Sequence, residues 1–283
     1  MTNEEILASF LESAIKEDVG DGDHSSLSCI PPTAQGVVQL LVKEDGIIAG
    51  VDIAHLIFKR LDPTIKFEKY IEDGTPIKKG DVAFRVEGKV LTLLQSERLV
   101  LNVMQRMSGI ATKTNEYVKL IEGLHTRILD TRKTTPGLRL LEKAAVKIGG
   151  GVNHRIGLYD MVMLKDNHID FAGGIEKAIG MVHTYLAKIG KPDMKIEVEV
   201  RNFNELDEVM RVGGIHRVML DNFSIDDTRK AVELINGRFE TESSGGITLD
   251  TFRKYAECGV DFISVGALTH HIKSLDLSLK AVQ

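Results

Sequence analysis

The chain has 283 residues, of which 43% are hydrophobic and 27% charged, and its net charge is −5. This composition excludes collagen-like, coiled-coil and intrinsically disordered chains, and the length predicts two domains or one large barrel with an appendage. The negative net charge argues against broad electrostatic binding to nucleic acid or anionic lipid, so an anionic partner would need a local basic pocket.

The cysteines and the N-terminal segment point to a cytoplasmic protein. Cys29 and Cys258 are the only cysteines, and they fit neither a disulfide framework nor a CxxC motif. Residues 1–18 are acidic and amphipathic, which is not typical of a signal peptide, and no apolar run reaches membrane-spanning length. We therefore expect a protein of the reducing cytoplasm with neither a membrane nor a nucleic-acid partner.

The first part of the chain is predicted to mix helices with strands. Thr2 and Glu5 form a capping-box pattern ahead of a helix that Gly20 ends. A loop over residues 21–32, a strand over 37–42 and a helix over 52–61 are expected to follow.

A long helix is predicted over residues 94–121, with a break or bend at Gly109. Arg98, Asn102 and Gln105 form a polar stripe along it. Two interpretations remain open at this point: the stripe is a solvated helix face, or it lines a cleft.

Between residues 125 and 270, short apolar strands alternate with helical stretches, as in βα units with a parallel sheet. The predicted strands span residues 126–129, 161–164, 195–200, 217–220, 238–241 and 261–265. Six strands are too few for an eight-stranded barrel of about 250 residues. The predicted fold class is therefore α/β, with an α+β region followed by an incomplete, six-stranded α/β barrel of parallel strands.

Polar or charged residues end all six predicted strands, which favours a functional site because active groups follow the carboxyl ends of parallel strands. These residues are Asp130, Arg132 and Lys133; Lys165, Asp166, Asn167 and His168; Glu199 and Arg201; Asp221 and Asn222; Glu242, Ser243 and Ser244; and Ser264, Gly266 and Thr269.

Basic residues are concentrated just after the first of these strands. Five of them lie between Asp130 and Lys147, against two acidic residues. Guanidinium groups hold carboxylate or phosphate oxygens bidentately, so this cluster predicts a polyanionic substrate. The five are Arg132, Lys133, Arg139, Lys143 and Lys147.

Two glycine-containing loops are candidates for binding phosphate. Ser243, Ser244, Gly245 and Gly246 follow the fifth strand, and Gly266 follows the sixth. Small residues expose backbone N–H groups that can hold a phosphate, although either loop alone is also explained as a tight turn.

Two acidic residues are candidates for binding a metal. Glu199 and Asp221 end successive strands and would hold hydrated Mg²⁺, unless each simply pairs with a neighbouring cation. His154 and His168 lack the spacing of a zinc motif.

Nine stretches together resemble the quinolinate phosphoribosyltransferase family over nearly the whole length. They are EDVGDGDHSS from Glu17, SERLVLNVMQRMSGIAT from Ser96, DTRKTTPGLR from Asp130, GGGVNHRIGLYD from Gly149, LKDNH from Leu164, EVEV from Glu197, MLDN from Met219, ESSGGI from Glu242 and SVGALTH from Ser264.

The resemblance implies an N-terminal α/β sandwich domain over residues 1–110 and an α/β barrel domain over 111–283, which ends in a C-terminal helical tail. It further implies transfer of a phosphoribosyl group from 5-phosphoribosyl 1-pyrophosphate to quinolinate, with decarboxylation, to give nicotinate mononucleotide, pyrophosphate and CO₂ in NAD biosynthesis. The implied cofactor is Mg²⁺, without an organic cofactor. The implied assembly is a homodimer with shared active sites, and further association of dimers is left open.

The resemblance also assigns residues. The catalytic set is Lys133, Lys165, Glu199 and Asp221, and the metal ligands are Glu199 and Asp221, directly or through water. The substrate-binding set is Arg98, Arg132, Lys133, His154, Arg155, Lys165, Glu199, Asp221, Ser244, Gly245, Ser264 and Gly266. In this assignment Arg98 reaches the site from the neighbouring subunit. No residue is assigned as general acid.

Three other functions are weighed against this one. Lys133 or Lys165 would form a Schiff base in a lyase, although the charged residues beside them favour ion pairing. A phosphate-ligand sensor would bind without turnover. A transferase for nicotinate or another pyridine acid would keep the chemistry, but the density of cations favours a dicarboxylate.

Overall fold

A computed structural model describes residues 2–282, which form two compact units. The first unit contains the chain up to Asn115, Lys133–Gly150 and the chain from Ala267; the second contains Glu116–Arg132 and Gly151–Gly266. The predicted division between residues 110 and 111 falls inside a single helix, Val90–Leu120, and remains a prediction.

The described residues form the following elements. The helices are α1 (Asn3–Val19), α2 (His24–Cys29), α3 (Val51–Leu61), α4 (Val90–Leu120), α5 (Arg139–Ile148), α6 (Asp166–Ala172), α7 (Ile175–Lys188), α8 (Phe203–Val212), α9 (Ile225–Ile235), α10 (Leu249–Ala256) and α11 (Ala267–His270). The strands are β1 (Gln35–Val42), β2 (Gly46–Ile47), β3 (Lys66–Lys69), β4 (Pro76–Ile77), β5 (Val82–Lys89), β6 (Arg127–Leu129), β7 (Val162–Leu164), β8 (Ile196–Val200), β9 (Arg217–Asp221), β10 (Glu240–Ser244), β11 (Phe262–Ser264) and β12 (Leu277–Ala281).

The predicted elements at the start of the chain are confirmed except for the loop. Thr2 and Glu5 form the reciprocal capping box of α1, and Gly20 ends that helix. The predicted loop over residues 21–32 is wrong in part, because α2 lies within it. Asp23 caps this short helix by accepting a hydrogen bond from the Ser26 N–H, which satisfies one of its free backbone donors.

The first unit is built on a four-stranded sheet in the order β12, β1, β5, β3. Strand β1 pairs antiparallel with both β5 and β12. Alternate residues of β1, among them Val38, Leu40 and Val42, are buried, as expected for a sheet with one face against a core. The predicted helical tail is wrong, because the only helix after residue 266 is the four-residue α11 and the described tail ends in strand β12.

Helix α4 runs through Gly109 without the predicted break. A Cβ atom at Gly109 would lie 2.2 Å from the carbonyl oxygen of Lys273, so this glycine allows the C-terminal segment to pack directly on the helix backbone. The polar stripe is divided between environments: Arg98 and Asn102 are exposed, whereas the Gln105 side chain donates to the Leu277 carbonyl at 3.0 Å.

The second unit contains six parallel strands in the order β6, β11, β10, β9, β8, β7. This confirms the predicted six-stranded parallel sheet, including the pairing of the third and fourth strands, β8 and β9. The fifth strand was predicted over residues 238–241, but it runs from Glu240 to Ser244. Glu242 and Ser243 therefore lie inside the strand, and Ser244 is its last residue. Among residues 2–282, no helix is both long enough and apolar enough to cross a bilayer.

Candidate active site

The predicted site residues are distributed over both units. Arg98, on α4, and Lys133 belong to the first unit. The other ten belong to the second unit: Arg132, His154, Arg155, Lys165, Glu199, Asp221, Ser244, Gly245, Ser264 and Gly266. Arg98, Arg132 and Lys133 are exposed, and the Lys133 carbonyl accepts a hydrogen bond from the Thr269 hydroxyl at 2.8 Å.

A cation and two carboxylates meet at the carboxyl ends of β7, β8 and β9. Lys165 Nζ lies 3.6 Å from Glu199 Oε2. Burial raises the pKa of Glu199, Lys165 opposes this increase, and the nearby negative charge of Asp221 adds to it. The two acidic residues therefore lie close enough to interact electrostatically, as the sequence predicted from their positions on adjacent strands.

The loop after β10 is shaped by Asn222, the residue that follows β9. The Asn222 N–H donates to the Ser244 carbonyl, and its side chain donates to Asp221. A Cβ atom at Gly245 would lie 2.3 Å from the Asn222 side-chain oxygen, and the backbone there has φ +89°. The positive φ and the close contact with Asn222 therefore favour glycine at this position.

Two arginines lie near one another on the same unit. Burial lowers the pKa of Arg155, and the positive charge of Arg132 lowers it further. Arg155 Nη1 donates to the carbonyl of Met161 at 3.2 Å. Neighbouring guanidinium groups repel unless an anion lies between them, so this pair suits the carboxylates of a substrate.

A buried charged cluster lies deeper in the sheet. His154 Nε2 is 3.1 Å from Glu197 Oε2 and 3.3 Å from Glu242 Oε2. All three side chains are almost fully inaccessible to solvent. Arg217 completes the cluster, with Nη1 3.1 Å from Glu242 and Nη2 3.0 Å from Glu240. The Arg217 guanidinium also stacks over the Phe262 ring.

The protonation of this cluster follows from its contacts. Burial opposes the charged form of His154, but the Glu197 and Glu242 carboxylates outweigh it and raise the pKa of His154 to about 9. Burial and the charge of Glu242 raise the pKa of Glu197 to about 7. Because His154 Nδ1 accepts the Arg155 N–H at 2.7 Å, a proton on Nδ1 would break that bond. Neutral His154 with its proton on Nε2, beside a protonated Glu197, satisfies both requirements and leaves the cluster neutral, since Arg217 balances Glu242.

The cluster forms a layer two residues nearer the amino ends of the strands than Glu199 and the loop after β10. Alternate residues of a strand face the same side, so Glu197 shares a face with Glu199, and Glu242 shares a face with Ser244. Two residues along a strand span about 6.6 Å, which is the spacing of the two layers. We call the layer of Glu197, Glu242, Arg217 and the His154 ring the buried floor.

Glu197 and Arg217 were missing from the predicted site, and Glu242 was predicted only as a strand-end residue without an assigned role. The strand IEVEV contained the signal, because two acidic residues at alternate positions of an otherwise apolar buried strand must share one face and need partners there. Glu242 was placed after its strand rather than within it, which hid the same relationship.

The two acidic sets differ in their suitability for a metal. The oxygen ligands that Mg²⁺ prefers are available from Glu199, which is buried, and Asp221, which is partly open to solvent and would leave room for water ligands. The His154, Glu197 and Glu242 ligand atoms lie within 4.8 Å of one another. In that cluster, however, Arg217 already supplies a balancing cation, and the distances are those of hydrogen bonds.

The first unit holds a separate cavity of about 510 Å³, between α1, α4 and α5. Apolar side chains such as Phe10, Leu99 and Met107 line much of it. Its charged lining consists of Glu17 and the ion pair of Arg106 with the buried Glu142, whose atoms are 2.7 Å apart. Because the ion pair is internally neutral and Glu17 is acidic, the lining has no excess positive charge with which to attract an anion.

Comparisons with known proteins match nearly the whole chain to one family. The family models described as quinolinate phosphoribosyl transferase, N-terminal domain and C-terminal domain match residues 23–108 and 110–280, respectively. A tobacco (Nicotiana tabacum) protein named quinolinate phosphoribosyltransferase [decarboxylating] 1b is 47% identical over 290 residues, which cover 97% of this chain and 82% of the tobacco protein.

Bacterial proteins are similar in sequence and in structure. A probable nicotinate-nucleotide pyrophosphorylase [carboxylating] of Bacillus subtilis is 40% identical over 273 residues, covering 96% of this chain and 92% of the relative. The crystal structure of NadC from Streptococcus pyogenes superposes with a TM-score of 0.92 at 37% identity, covering 100% of this chain and 99% of the other.

Proposed function

Because this chain belongs to the quinolinate phosphoribosyltransferase family, we propose that its second unit carries the chemistry of phosphoribosyl transfer. The enzyme transfers the phosphoribosyl group of 5-phosphoribosyl 1-pyrophosphate to quinolinate, with loss of CO₂, and forms nicotinate mononucleotide for NAD biosynthesis. One observation carries the assignment of the site. Glu199, Asp221 and the loop at Gly245 lie at the carboxyl ends of three consecutive strands, β8, β9 and β10.

The carboxylates would stabilise the transition state of transfer. Positive charge develops on the ribose as pyrophosphate leaves C1, and Glu199 and Asp221 are the nearby negative groups that would balance it. Lys165, 3.6 Å from Glu199, holds that carboxylate in place and adds positive charge for the leaving group. Ser244 and Gly245, with Ser264 and Gly266, would hold the 5-phosphate through hydroxyl and backbone N–H groups.

Magnesium is a further part of the proposal. Glu199 and Asp221 would hold Mg²⁺, directly or through its waters. When bound, the ion neutralises charge on the pyrophosphate group. Lys133, which follows Arg132 in the sequence, is proposed to help neutralise the negative charge of the pyrophosphate group.

The basic residues would bind and orient quinolinate. Arg132, Arg155 and Arg98 suit a dicarboxylate, because each guanidinium can bind one carboxylate bidentately. Such binding would align the pyridine nitrogen with C1 of the ribose. Quaternisation of that nitrogen makes the ring an electron sink, so that CO₂ can leave from the 2-position without an organic cofactor.

Lys165 argues against the lyase alternative. A Schiff-base lysine works as a desolvated neutral amine, whereas the Lys165 side chain is half exposed and ion-paired with Glu199. Borohydride trapping with a carbonyl substrate tests this directly, and a trapped adduct would restore the lyase hypothesis.

The assembly and the location of the protein are also proposals. We infer a homodimer in which Arg98 of one subunit completes the site of the other, because Arg98 is exposed on α4 while the acidic residues lie in the second unit. Plant relatives are named chloroplastic or mitochondrial, and we propose the cytoplasm for this chain because both of its cysteines are free thiols.

An end-point assay tests the proposed function. Purified protein is incubated with phosphoribosyl pyrophosphate and Mg²⁺, with quinolinate or nicotinate in parallel, and mononucleotide and CO₂ are measured. We expect equal amounts of both products from quinolinate alone. Product from nicotinate without CO₂ would change the substrate, and no product from either would favour the sensor or the lyase.

A further inference from the structure

Within the buried floor, the Glu242 carboxylate contacts the side chains of His154 and Arg217. The proposed reaction uses neither Glu242 nor Arg217. Glu242 Oε2 lies 3.3 Å from His154 Nε2 and 3.1 Å from Arg217 Nη1. The Glu242 side chain is fully buried. A buried ion pair is often no more stabilising than apolar residues of the same volume, so stability alone does not explain this arrangement.

His154 is fixed at three points. Its ring Nε2 faces Glu197 and Glu242, and its ring Nδ1 accepts a hydrogen bond from the backbone N–H of Arg155 at 2.7 Å. The backbone N–H of His154 donates to Asp130 Oδ1 at 2.8 Å. The imidazole ring therefore connects strands β8 and β10 of the buried floor to the backbone of Arg155.

Arg155 lies on an irregular segment, between the bridge residue Val152 and strand β7. No helix or strand fixes its backbone, so the His154 ring and the contact of Arg155 Nη1 with the Met161 carbonyl define where its guanidinium lies. Orientation of a substrate is sensitive to such placement, because a shift of about 1 Å can cost about a hundredfold in rate.

We propose that Glu242, held in place by Arg217, is a positioning residue that acts through His154 to fix Arg155. The inference rests on the proposed function, in which Arg155 binds a carboxylate of quinolinate. Glu242 itself touches no substrate in this scheme. The Ser264 hydroxyl also contacts Glu242, so loss of Glu242 should weaken the binding of the pyridine dicarboxylate much more than that of the phosphoribosyl substrate.

Replacement of Glu242 by glutamine tests this expectation. Glu242→Gln keeps the shape of the side chain and removes its charge, and we expect KM for quinolinate to rise about tenfold. KM for phosphoribosyl pyrophosphate and kcat should remain within about twofold of the wild type. The matched control is Glu240→Gln, which removes the other carboxylate on Arg217, 3.0 Å away, without touching His154, and should leave both KM values unchanged. A rise in KM for phosphoribosyl pyrophosphate instead would overturn the proposal.

A double-mutant cycle shows whether the effect passes through His154. His154→Asn keeps an acceptor near the Nδ1 position but cannot reach the carboxylates. We expect Glu242→Gln to raise KM for quinolinate no further when it is added to His154→Asn. Effects that multiply would overturn the proposal, because Glu242 would then act by another route.

Two further measurements cover misfolding and failure of the proposed function. If Glu242→Gln does not fold, Glu242→Asp keeps the negative charge but draws the carboxylate back from both His154 and Arg217, and should raise KM for quinolinate similarly. An unchanged KM overturns the proposal. If the wild type does not convert quinolinate, the proposed function fails by itself. Imidazole ¹⁵N spectra then decide: the Nδ1 resonance of His154 should shift in Glu242→Gln but not in Glu240→Gln, and no shift overturns the positioning role.

Discussion

Lys165 Nζ lies 3.6 Å from Glu199 Oε2, where the neighbouring parallel strands β7 and β8 end. The lysine side chain is 50% exposed, whereas the glutamate side chain is 10% exposed. A pair so open on one side contributes about 0–1 kcal/mol to stability. Its importance should therefore lie in catalysis rather than in folding.

Replacement of Lys165 tests this separation. We expect Lys165→Met to lower kcat/KM about a hundredfold, because it removes positive charge at the site of transfer, and to change the free energy of unfolding by no more than about 1 kcal/mol. Steady-state kinetics and urea unfolding measure the two quantities. The control is Lys195→Met, since Lys195 forms a similarly exposed pair with Glu240, 3.9 Å away, and should retain full activity. Equal losses of activity in both variants would refute the assignment.

Two helical glycines should respond in opposite ways to alanine. At Gly109 a Cβ atom would lie 2.2 Å from the Lys273 carbonyl oxygen, so Gly109→Ala should destabilise the protein by about 1–3 kcal/mol. At Gly180, on α7, a Cβ atom would meet nothing within 4 Å. Gly180→Ala should therefore stabilise it by about 0.5–1 kcal/mol. Urea unfolding of both variants checks the contrast, and destabilisation of similar size in both would contradict it.

Asp221 should determine the requirement for magnesium. Asp221→Asn removes a negative oxygen ligand while keeping a side chain of similar size. We expect the Mg²⁺ concentration for half-maximal activity to rise about tenfold. The measurement is a Mg²⁺ titration of the initial rate at saturating substrates. An unchanged titration curve would rule out Asp221 as a ligand, even if kcat falls.

Mixed dimers should regain activity that neither parent variant has. Arg98→Ala and Lys165→Ala should each lower kcat/KM about a hundredfold on their own. A hybrid dimer would combine Arg98 of one subunit with Lys165 of the other in one intact site. The two proteins are unfolded together, refolded and assayed, with each refolded alone as the control. If sites are not shared between subunits, the mixture will be as inactive as its components.

The His154–Glu197 pair should make stability depend on pH. The pKa of His154 is raised from 6.5 to about 9, so the folded protein keeps a proton that the unfolded chain releases. This stabilisation is fully present below about pH 6.5 and is lost as the pH rises through about 9, at about 1.4 kcal/mol per pH unit.

The double variant His154→Gln with Glu197→Gln provides the comparison. It removes both groups that share the proton and leaves the Glu242–Arg217 pair balanced. We expect its free energy of unfolding to change less than that of the wild type between pH 6.5 and 9. Denaturant unfolding at intervals of pH measures both slopes, and parallel curves would show that the pair does not retain the proton.

Local signals explain which elements could be predicted. The capping box of Thr2 and Glu5 and the apolar runs of the six parallel strands are short-range patterns, and the structure contains them. Helix α2 lacks such a pattern, because its six residues are mostly polar and its one large apolar side chain, Leu27, is 54% exposed. Strand β12 depends on pairing with β1, at the other end of the sequence.

The same distinction applies to the candidate site. Glu199 and Asp221 were predictable because they are the last acidic residues of two strands whose other residues are mostly apolar. The buried floor was not, since its contacts join residues from β8, β9, β10 and the segment after Val152, and no local pattern shows that Glu242 and His154 meet. The role of Gly109 was missed for a related reason, because the carbonyl group that requires a glycine there belongs to Lys273.

The pairing of β12 with β1 also limits the order in which the two units can fold during synthesis. Strand β1 leaves the ribosome early with one edge unpaired, and its partner is synthesised only after all six parallel strands. An exposed strand edge is a template for unwanted pairing with other chains. The first unit therefore cannot finish folding ahead of the second in the usual N-terminal-first manner, and the open edge of β1 must be protected until β12 has been synthesised.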